Sequence, residues 1–458
     1  MTREIPSTKG PRGPLKLGAW SFVGAWCLVL GASLQAGPPP VSFRRDIAPL
    51  LQRRCAVCHS EESAKGGYRL DSYRLLAKAG ESDLAPLVAG QPEKSELFQL
   101  LIESDANDRM PQRAEALPKT ELALLERWIQ EGAVNDGGPP ERPLTELVRE
   151  TLLRPAPEHY PRPVPATALA FSPDGTQLAV AGYYEVTLWN VDTGALVRRI
   201  GGMPERITAL AWHAQRNLLA VAGGSPSQWG GVWLVEPAAD FKTRILCDLP
   251  ETALCVAFSP DGTQLLAGAG DRTIRRFDPA SGKQTRLWKQ HADWVQTISF
   301  APDGARFVAA SRDRTARIYD SASGEMLATY EGHEAPVLAA AFPPHASTVL
   351  SVARSQPVQQ WDASNGKRAA EFPAGGRAVQ VLLPAEFGLL TGSTDHLVRL
   401  LQYSDQRLLL TFHGHHDTVE SLALAPDRRT FASGDHAGGI CLWNAGDETP
   451  VRQFIATP

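Results

Sequence analysis

The feature that most constrains the fold of this chain is a repeat of about 42 residues that fills its C-terminal two thirds. Each unit alternates short apolar runs with turns rich in Gly, Pro and Asp, a pattern typical of strands joined by tight turns. The equivalent positions are Phe171, Trp212, Phe258, Phe300, Phe342, Leu382 and Leu424, at intervals of 41, 46, 42, 42, 40 and 42 residues. Seven such units predict an all-β propeller of seven blades, because one four-stranded unit cannot bury its apolar face alone.

Recurring residue pairs inside the repeat indicate which kind of propeller it forms. The third strands end in Trp189-Asn190, Phe277-Asp278, Tyr319-Asp320, Trp361-Asp362 and Trp443-Asn444, and Gly-His or Gln-His pairs precede several units at His291, His333 and His415. The region 163–458 resembles a WD-repeat β-propeller. The resemblance implies a platform for protein interactions, and we expect the three histidines to tie blade loops together through hydrogen bonds.

Near the N-terminal end, two cysteines and a histidine form the most specific chemical motif. Cys55-Ala-Val-Cys58-His59 has the spacing of c-type haem attachment, in which two thiols bind the vinyl groups and the adjacent imidazole binds the iron. A structural zinc site would need four ligands, and residues 1–150 contain no second histidine. The motif therefore predicts one covalent haem c on Cys55 and Cys58, with His59 as the proximal iron ligand.

A second axial ligand is expected downstream, and Met110 is the candidate. It stands in Asp108-Arg109-Met110-Pro111, where Pro111 favours an extended conformation at Met110. The alternative is that Met110 fills a core, the usual role of methionine. A thioether ligand would raise the reduction potential and favour electron transfer over oxygen activation.

Helical spacing flanks the motif on both sides. A helix is expected over Asp46–Arg54 with Asp46 as its cap, and a second one begins at a Thr120 cap and ends at Gly132. The second helix carries one apolar stripe, so the two helices are expected to pack together. Gly66-Gly67 would let the backbone pass close to a flat ring. The candidates for haem propionate partners, with solvated surface residues as the alternative, are Arg69, Arg74, Arg109 and Arg113.

These pieces together resemble the planctomycete-type cytochrome c domain. The shared elements are the C-x-x-C-H motif, Gly66-Gly67-Tyr68-Arg69-Leu70-Asp71, Arg109-Met110-Pro111, and a closing helix that runs from Leu125 through Trp128-Ile129 to Gly132-Ala133. The resemblance covers residues 43–134 and implies covalent haem c with His59 and Met110 as axial ligands. The family usually has a second proline where this chain has Gln112. We assign residues 41–136 to a small all-α cytochrome c-like domain and residues 137–162 to a linker with a short helix over 144–153.

The N-terminal segment predicts export. Four basic residues in the first 16 precede an apolar run from Leu17 to Ala32 and small residues that end at Ala36. This order is typical of a secretory signal peptide over residues 1–36, with an uncleaved membrane anchor as the alternative. The expected location is periplasmic or otherwise extracytoplasmic, with membrane association through this segment if it is retained.

Two features of the propeller region leave alternatives open. Cys247 and Cys255 could form a disulfide or remain buried free thiols, and Cys441 has no evident partner. The second unit is long because of a Gly-rich stretch over 223–231, which we expect to be a loop. Trp229 in that stretch is expected either to be buried or to anchor a partner or the haem domain.

Composition and motifs limit the function. Lys and Arg total 46 against 50 Asp and Glu, a net charge of −4, which gives no basic field for nucleic acid. No catalytic motif is recognisable, so no catalytic residues are assigned and an electron carrier is favoured over an enzyme. The main hypothesis is an exported cytochrome that passes electrons to unknown redox partner proteins, with the propeller as docking platform. The alternatives are a redox enzyme or haem sensor whose propeller binds a substrate or second cofactor, and a pure scaffold.

Overall fold

A computed structural model describes residues 39–458 except 62, 113, 346 and 373–377. The predicted signal peptide or anchor over residues 1–36 lies outside the described residues. Within the described part of the chain, no helix is both long enough and apolar enough to cross a membrane.

The C-terminal region forms seven antiparallel sheets of four consecutive strands each, which confirms the seven-bladed propeller. Blades 1 to 3 comprise β1 to β4 (Leu169–Phe171, Gln177–Ala181, Glu185–Asn190, Leu196–Gly201), β5 to β8 (Arg206–His213, Leu218–Ser225, Trp229–Glu236, Lys242–Leu249) and β9 to β12 (Ala253–Phe258, Leu265–Ala269, Ile274–Phe277, Gln284–Trp288). Blades 4 and 5 comprise β13 to β16 (Val295–Phe300, Arg306–Ser311, Ala316–Asp320, Met326–Tyr330) and β17 to β20 (Val337–Ala341, Thr348–Ala353, Val358–Asp362, Arg368–Phe372). Blades 6 and 7 comprise β21 to β24 (Val379–Ala385, Gly388–Ser393, Val398–Leu401, Leu408–Phe412) and β25 to β28 (Val419–Leu424, Thr430–Asp435, Gly439–Asn444, Arg452–Ile455).

The ring closes by packing between blade 1 and blade 7. Each of these sheets is built from its own consecutive strands. The Ala166 N–H, just before β1, donates to the Asp435 carbonyl at 3.0 Å. Leu169 and Phe171 of β1 share one buried cluster with Ala432 and Ile440 of blade 7. Apolar burial across this junction therefore holds the two ends of the ring together.

A buried polar network links the strands of blade 7. His415 Nδ1 lies 2.8 Å from Asp435 Oδ2, and its Nε2 lies 2.6 Å from Ser433 Oγ, which also accepts from Trp443 Nε1 at 2.7 Å. Burial acts to raise the pKa of the Asp435 carboxyl, but hydrogen bonds from His415 and the Gly439 N–H hold that pKa below its usual value. Every member has a partner, so the network adds stability instead of leaving a buried polar atom unpaired.

The other two predicted histidines also form hydrogen bonds between blade loops, which confirms their structural role. His333 lies 2.9 Å from Gln356 Oε1 and 2.7 Å from Ser351 Oγ, which accepts from Trp361 as well. His291 Nδ1 lies 3.0 Å from Asp313 Oδ2.

The N-terminal part is small and helical. A π-helical turn, Phe43–Ile47, runs into α1 (Ala48–Arg54), and the remaining helices are α2 (Tyr73–Leu76), α3 (Glu96–Ile102), α4 (Lys119–Gln130) and α5 (Leu144–Leu152). Short 3₁₀ turns occur at Lys65–Gly67, Pro92–Lys94 and, in the propeller, Pro237–Ala239. Phe43 stacks on Trp128 of α4 with ring centroids 5.5 Å apart, and both are fully buried. Arg53 and Arg54 of α1 both pair with Glu121 of α4 at 2.9 Å, so the predicted packing of the first and closing helices is confirmed.

Both predicted helix caps are wrong. The first helical segment begins three residues earlier than expected, and Ser42 is its cap, since Ser42 Oγ accepts from the Arg45 N–H at 3.0 Å. Asp46 instead accepts from the Ser42 N–H at 3.0 Å. Helix α4 begins after Pro118, which has no side-chain acceptor, so Thr120 lies inside the helix. Its predicted end is confirmed, because Gly132 has a φ of 100° just beyond Gln130.

Helix α5, inside the predicted linker, packs on both α1 and blade 2. Its Arg149 pairs with Asp248 Oδ2 of β8 at 2.5 Å, and Asp248 Oδ1 accepts from Trp229 Nε1 at 2.9 Å.

The prediction of a Gly-rich loop is wrong, because residues 223–231 belong mostly to the paired strands β6 and β7. Trp229 is fully buried and shares a core with α5, so it helps to hold the helical region on the propeller.

Removal of the His415 side chain should destabilise the propeller. We expect His415→Ala to lower the free energy of unfolding by about 3 kcal/mol, because it leaves buried Asp435 and Ser433 atoms without their partner. Chemical denaturation would measure this change. The matched control is His416→Ala, an exposed neighbour that should change stability by less than about 0.5 kcal/mol.

The difference in free energy of unfolding between wild type and His415→Ala should become smaller as the pH falls. The folded-state pKa of Asp435 is lowered, so the stabilisation by its partners is present above the unfolded pKa of about 3.9 and is lost as pH falls below it. The gap between wild type and His415→Ala should therefore narrow in acid. A gap that stays constant or widens between pH 6 and pH 3 would contradict this assignment.

Candidate haem-binding site

Helix α1 delivers the cysteine motif into a tight turn. The Cys55 N–H donates to the Leu51 carbonyl at 2.9 Å, and the N–H groups of Cys58 and His59 both donate to the Cys55 carbonyl at 3.1 Å. We call residues 55–60 the attachment turn. Because the chain folds back on itself here, Cys55 and His59 line the same cavity of about 220 Å³. Cys58 is half-buried in the turn and lies outside the lining of that cavity.

Met110, between α3 and α4 in the chain, lines the same cavity. Its N–H donates to the carbonyl of Leu100 in α3 at 2.8 Å, which fixes the backbone beside the cavity wall. The peptide bond between Met110 and Pro111 is cis. The structure therefore brings together three of the four predicted site residues, and the walls between them are mainly apolar, from Leu70, Pro86, Leu97, Leu100 and Leu101.

A backbone carbonyl orients the His59 imidazole. Its Nδ1 lies 3.3 Å from the Tyr68 carbonyl oxygen, which can only accept, so Nδ1 carries the proton and Nε2 remains available as a ligand atom. The Tyr68 ring meets the imidazole edge-on at 5.5 Å, and its hydroxyl donates to the Leu76 carbonyl at 2.7 Å. Burial raises the pKa of Tyr68, so this hydroxyl stays neutral. Sequence reasoning did not identify Tyr68 as the residue that positions His59.

Glycines form one wall of the cavity. Gly66 and Gly67 have φ values of 64° and 66°, in the left-handed region that glycine adopts without strain. Gly80 approaches so closely that a Cβ atom there would lie 2.6 Å from the Gly66 carbonyl oxygen. Two backbone segments therefore lie against each other beside the cavity. The sequence pattern did not reveal Gly80, and the passage of Gly66-Gly67 close to a flat ring stays a prediction.

Burial keeps the Cys55 thiol neutral. It raises the pKa of Cys55 to about 12, and Cys55 and Cys58 are both free thiols. The propeller cysteines Cys247, Cys255 and Cys441 are free as well, so the disulfide alternative for Cys247 and Cys255 is wrong. Burial raises the pKa of each of them to about 12.

Of the four candidate arginines, Arg109 is the one with an unpaired buried donor, and it precedes the cavity residue Met110 in the chain without lining the cavity itself. Arg69 pairs with Asp71 at 2.7 Å and Arg74 with Glu141 at 3.0 Å, while Arg113 lies outside the described residues. The Nε of Arg109 is buried and has no hydrogen-bond partner in the described part of the chain. A buried donor without a partner is costly, and an acidic ligand group would satisfy it. The cavity fits a haem, because it combines apolar walls with Cys55, Met110 and a His59 Nε2 that is available as a ligand atom.

Comparisons with known proteins agree with this architecture. Residues 55–113 match the family model of planctomycete cytochrome C, and residues 250–278, 282–320, 324–362 and 406–444 match that of the WD domain, G-beta repeat. A ribosome biogenesis protein WDR12 homolog from Chlamydomonas reinhardtii is 36% identical over 86 residues, which cover 16% of this chain and 19% of that protein. This chain thus spans about a fifth of that relative's length.

No cluster of three or more His, Cys, Asp or Glu side chains arranged to hold a metal ion occurs in the described ranges. Cys55, His59 and Met110 line one cavity, as the match to planctomycete cytochrome C would lead one to expect, and the WD-repeat matches lie in the propeller. The chain joins a small helical region, which matches the planctomycete cytochrome C family model over residues 55–113, to a seven-bladed β-propeller with four matches to the WD repeat.

Proposed function

We propose that this protein is an exported electron-transfer cytochrome whose single haem c is attached to Cys55 and Cys58, with His59 and Met110 as axial ligands. The observation that carries the proposal is that Cys55, His59 and Met110 line one mainly apolar cavity. A pair of nitrogen and thioether ligands favours electron transfer because it fills both axial positions and raises the reduction potential.

The residues of the chain would hold and tune this group. When bound, the haem would supply one-electron exchange at its iron. The Tyr68 carbonyl would keep His59 in the tautomer that binds metal, and the leucine walls would exclude water, which favours the less charged state of the site. Arg109 would satisfy an acidic edge group through its buried Nε.

The propeller would act as the docking platform for redox partner proteins. WD-repeat propellers generally mediate protein interactions, and helix α5 holds the helical region on blade 2 through Arg149 and Asp248. A partner bound to the propeller would therefore face a haem at a fixed position rather than on a flexible tether.

Export would support the assignment of covalent haem, because the same cysteine motif in a cytoplasmic protein would be weaker evidence for it. The order of basic, apolar and small residues over 1–36 favours a secretory signal or a membrane anchor. We propose a periplasmic or other extracytoplasmic location, with membrane association if the segment is retained.

Covalent attachment should depend on the two motif cysteines alone. In cells that mature c-type cytochromes, we expect the exported protein to give a pyridine haemochrome spectrum after denaturation, and Cys55→Ala with Cys58→Ala to abolish it. The matched control is Cys247→Ala, because this free cysteine lies in β8 outside the motif. Covalent haem that persists in the double variant would remove the attachment assignment, and its absence from the wild type would favour a pure scaffold.

The axial assignment of Met110 has a separate test. Met110→Ala should keep covalent haem but lose the weak near-infrared band of oxidised methionine-ligated haem, and its reduction potential should fall. The control is Met326→Ala, since Met326 is 43% exposed on the outer strand of blade 4. If the band survives in Met110→Ala, another residue is the ligand. A high-spin spectrum in the wild type would indicate an open iron site and favour the enzyme or sensor alternative.

Replacement of Arg109 should lower the reduction potential without loss of haem. A cation beside the haem opposes oxidation, so Arg109→Gln should shift the potential downward while the haem content is unchanged. Arg74→Gln is the matched control, because Arg74 is 70% exposed and already paired with Glu141. Equal potentials in both variants, measured by optical redox titration, would show that Arg109 does not face the haem.

A further inference from the structure

A second cavity lies on the propeller side of the attachment turn. It is a cleft of about 460 Å³ between the turn and blades 3 and 4, and we call it the interdomain cleft. Its lining shares no residue with the cavity that contains His59 and Met110. Ligand sites commonly have volumes of about 300–1,000 Å³ and often lie at the interface of domains. The interdomain cleft has both properties.

Apolar side chains from both the helical region and the propeller line the cleft. Ala56 and Val57, which separate the two cysteines, line one side, and Pro250 and Trp294 line the other. Val57 is 59% exposed, so its apolar side chain is accessible at the cleft. The cleft can therefore take the apolar body of a small molecule, whereas its volume is far too small for a folded partner.

The charges around the cleft favour an anion. The three carboxylates of the lining are already engaged: Glu251 accepts from the N–H groups of Ser227 and Thr252, Asp271 pairs with Arg275, and Asp293 lies 3.9 Å from Arg312. Arg272 is exposed at the cleft, and its guanidinium has no hydrogen bond or ion pair to any residue that the structure describes. An unpaired cation beside an apolar surface suits a ligand that joins an acidic group to an apolar body.

We propose that the interdomain cleft binds a small organic acid with an apolar ring system, its body between Val57 and Trp294 and its negative group at Arg272. The ligand would lie against the two residues that separate the haem-attachment cysteines. This deepens the proposed function, because it places a small molecule beside the segment that carries the haem. Binding in the cleft itself does not require the haem.

The test is the binding of 1-anilinonaphthalene-8-sulfonate, a fluorescent aromatic anion, to the full chain by fluorescence titration and calorimetry. We expect one site per chain whose affinity falls about tenfold in Arg272→Glu, since attraction is replaced by repulsion, and about fivefold in Trp294→Ala. The matched control is Arg314→Glu. Arg314 occupies the equivalent exposed turn of blade 4, with a φ of 69° against 72° for Arg272, and lies outside the cleft lining.

Three results would overturn the proposal: equal affinities for Arg272→Glu and Arg314→Glu, tighter binding of the aromatic cation thioflavin T than of the anion, or no saturable site. Thermal melting of each variant would separate a lost site from a lost fold. The pyridine haemochrome assay on the same samples would keep the two proposals apart. Normal haem content without anion binding would contradict the cleft alone, and anion binding without haem would contradict the electron-transfer proposal alone.

Discussion

The placement of the helical region on the propeller depends on the carboxylate of Asp248. One of its oxygens accepts from Trp229 Nε1 at 2.9 Å, and the other pairs with Arg149 of α5 at 2.5 Å. Both charged side chains are less than one fifth exposed, and removing such charges from water is costly unless each oxygen has a partner. Here both oxygens have one. The register of α5 on blade 2 is therefore fixed, and α1, which packs on α5, carries the attachment turn to a defined position.

The attachment turn consequently has two sides with different surroundings. Cys55 and His59 face the cavity that Met110 closes, while Ala56 and Val57 face the propeller. The lining of the cavity with His59 and Met110 comes from the helical region alone, so the proposed ligand set is a local property of that region. Residues of blades 3 and 4 instead line the interdomain cleft, and they determine what can contact the turn at Ala56 and Val57. The two proposals about this molecule concern different sides of the same six residues, and a substitution on one side need not disturb the other.

The sequence predicts much of this architecture because two of its signals are periodic or short. A repeat of about 42 residues fixes the blade count, and C-x-x-C-H fixes the haem motif without knowledge of distant residues. The predicted caps at Asp46 and Thr120 are wrong because the start of a helix depends on which side chain, if any, accepts from its first free backbone N–H groups. At the first helix that side chain belongs to Ser42, and not to Asp46. The pairing of Arg149 with Asp248 links residues 99 positions apart and has no local signature. For the same reason Tyr68 and Gly80 were missed, because their roles appear only when the chain folds back on His59.

The turns between the second and third strands show which residues the ring itself requires. In blade 3, Asp271 accepts from the backbone and hydroxyl of Thr273, and in blade 4 Asp313 does the same with Thr315. The Asp-x-Thr pattern therefore defines the turn, while the residue between them adopts a positive φ, at 72° for Arg272 and 69° for Arg314. That conformation is strained for arginine and would favour glycine or asparagine on structural grounds alone. The turn does not explain an arginine at either position, and what distinguishes Arg272 from Arg314 is that Arg272 lines the interdomain cleft, where its guanidinium is available for a ligand.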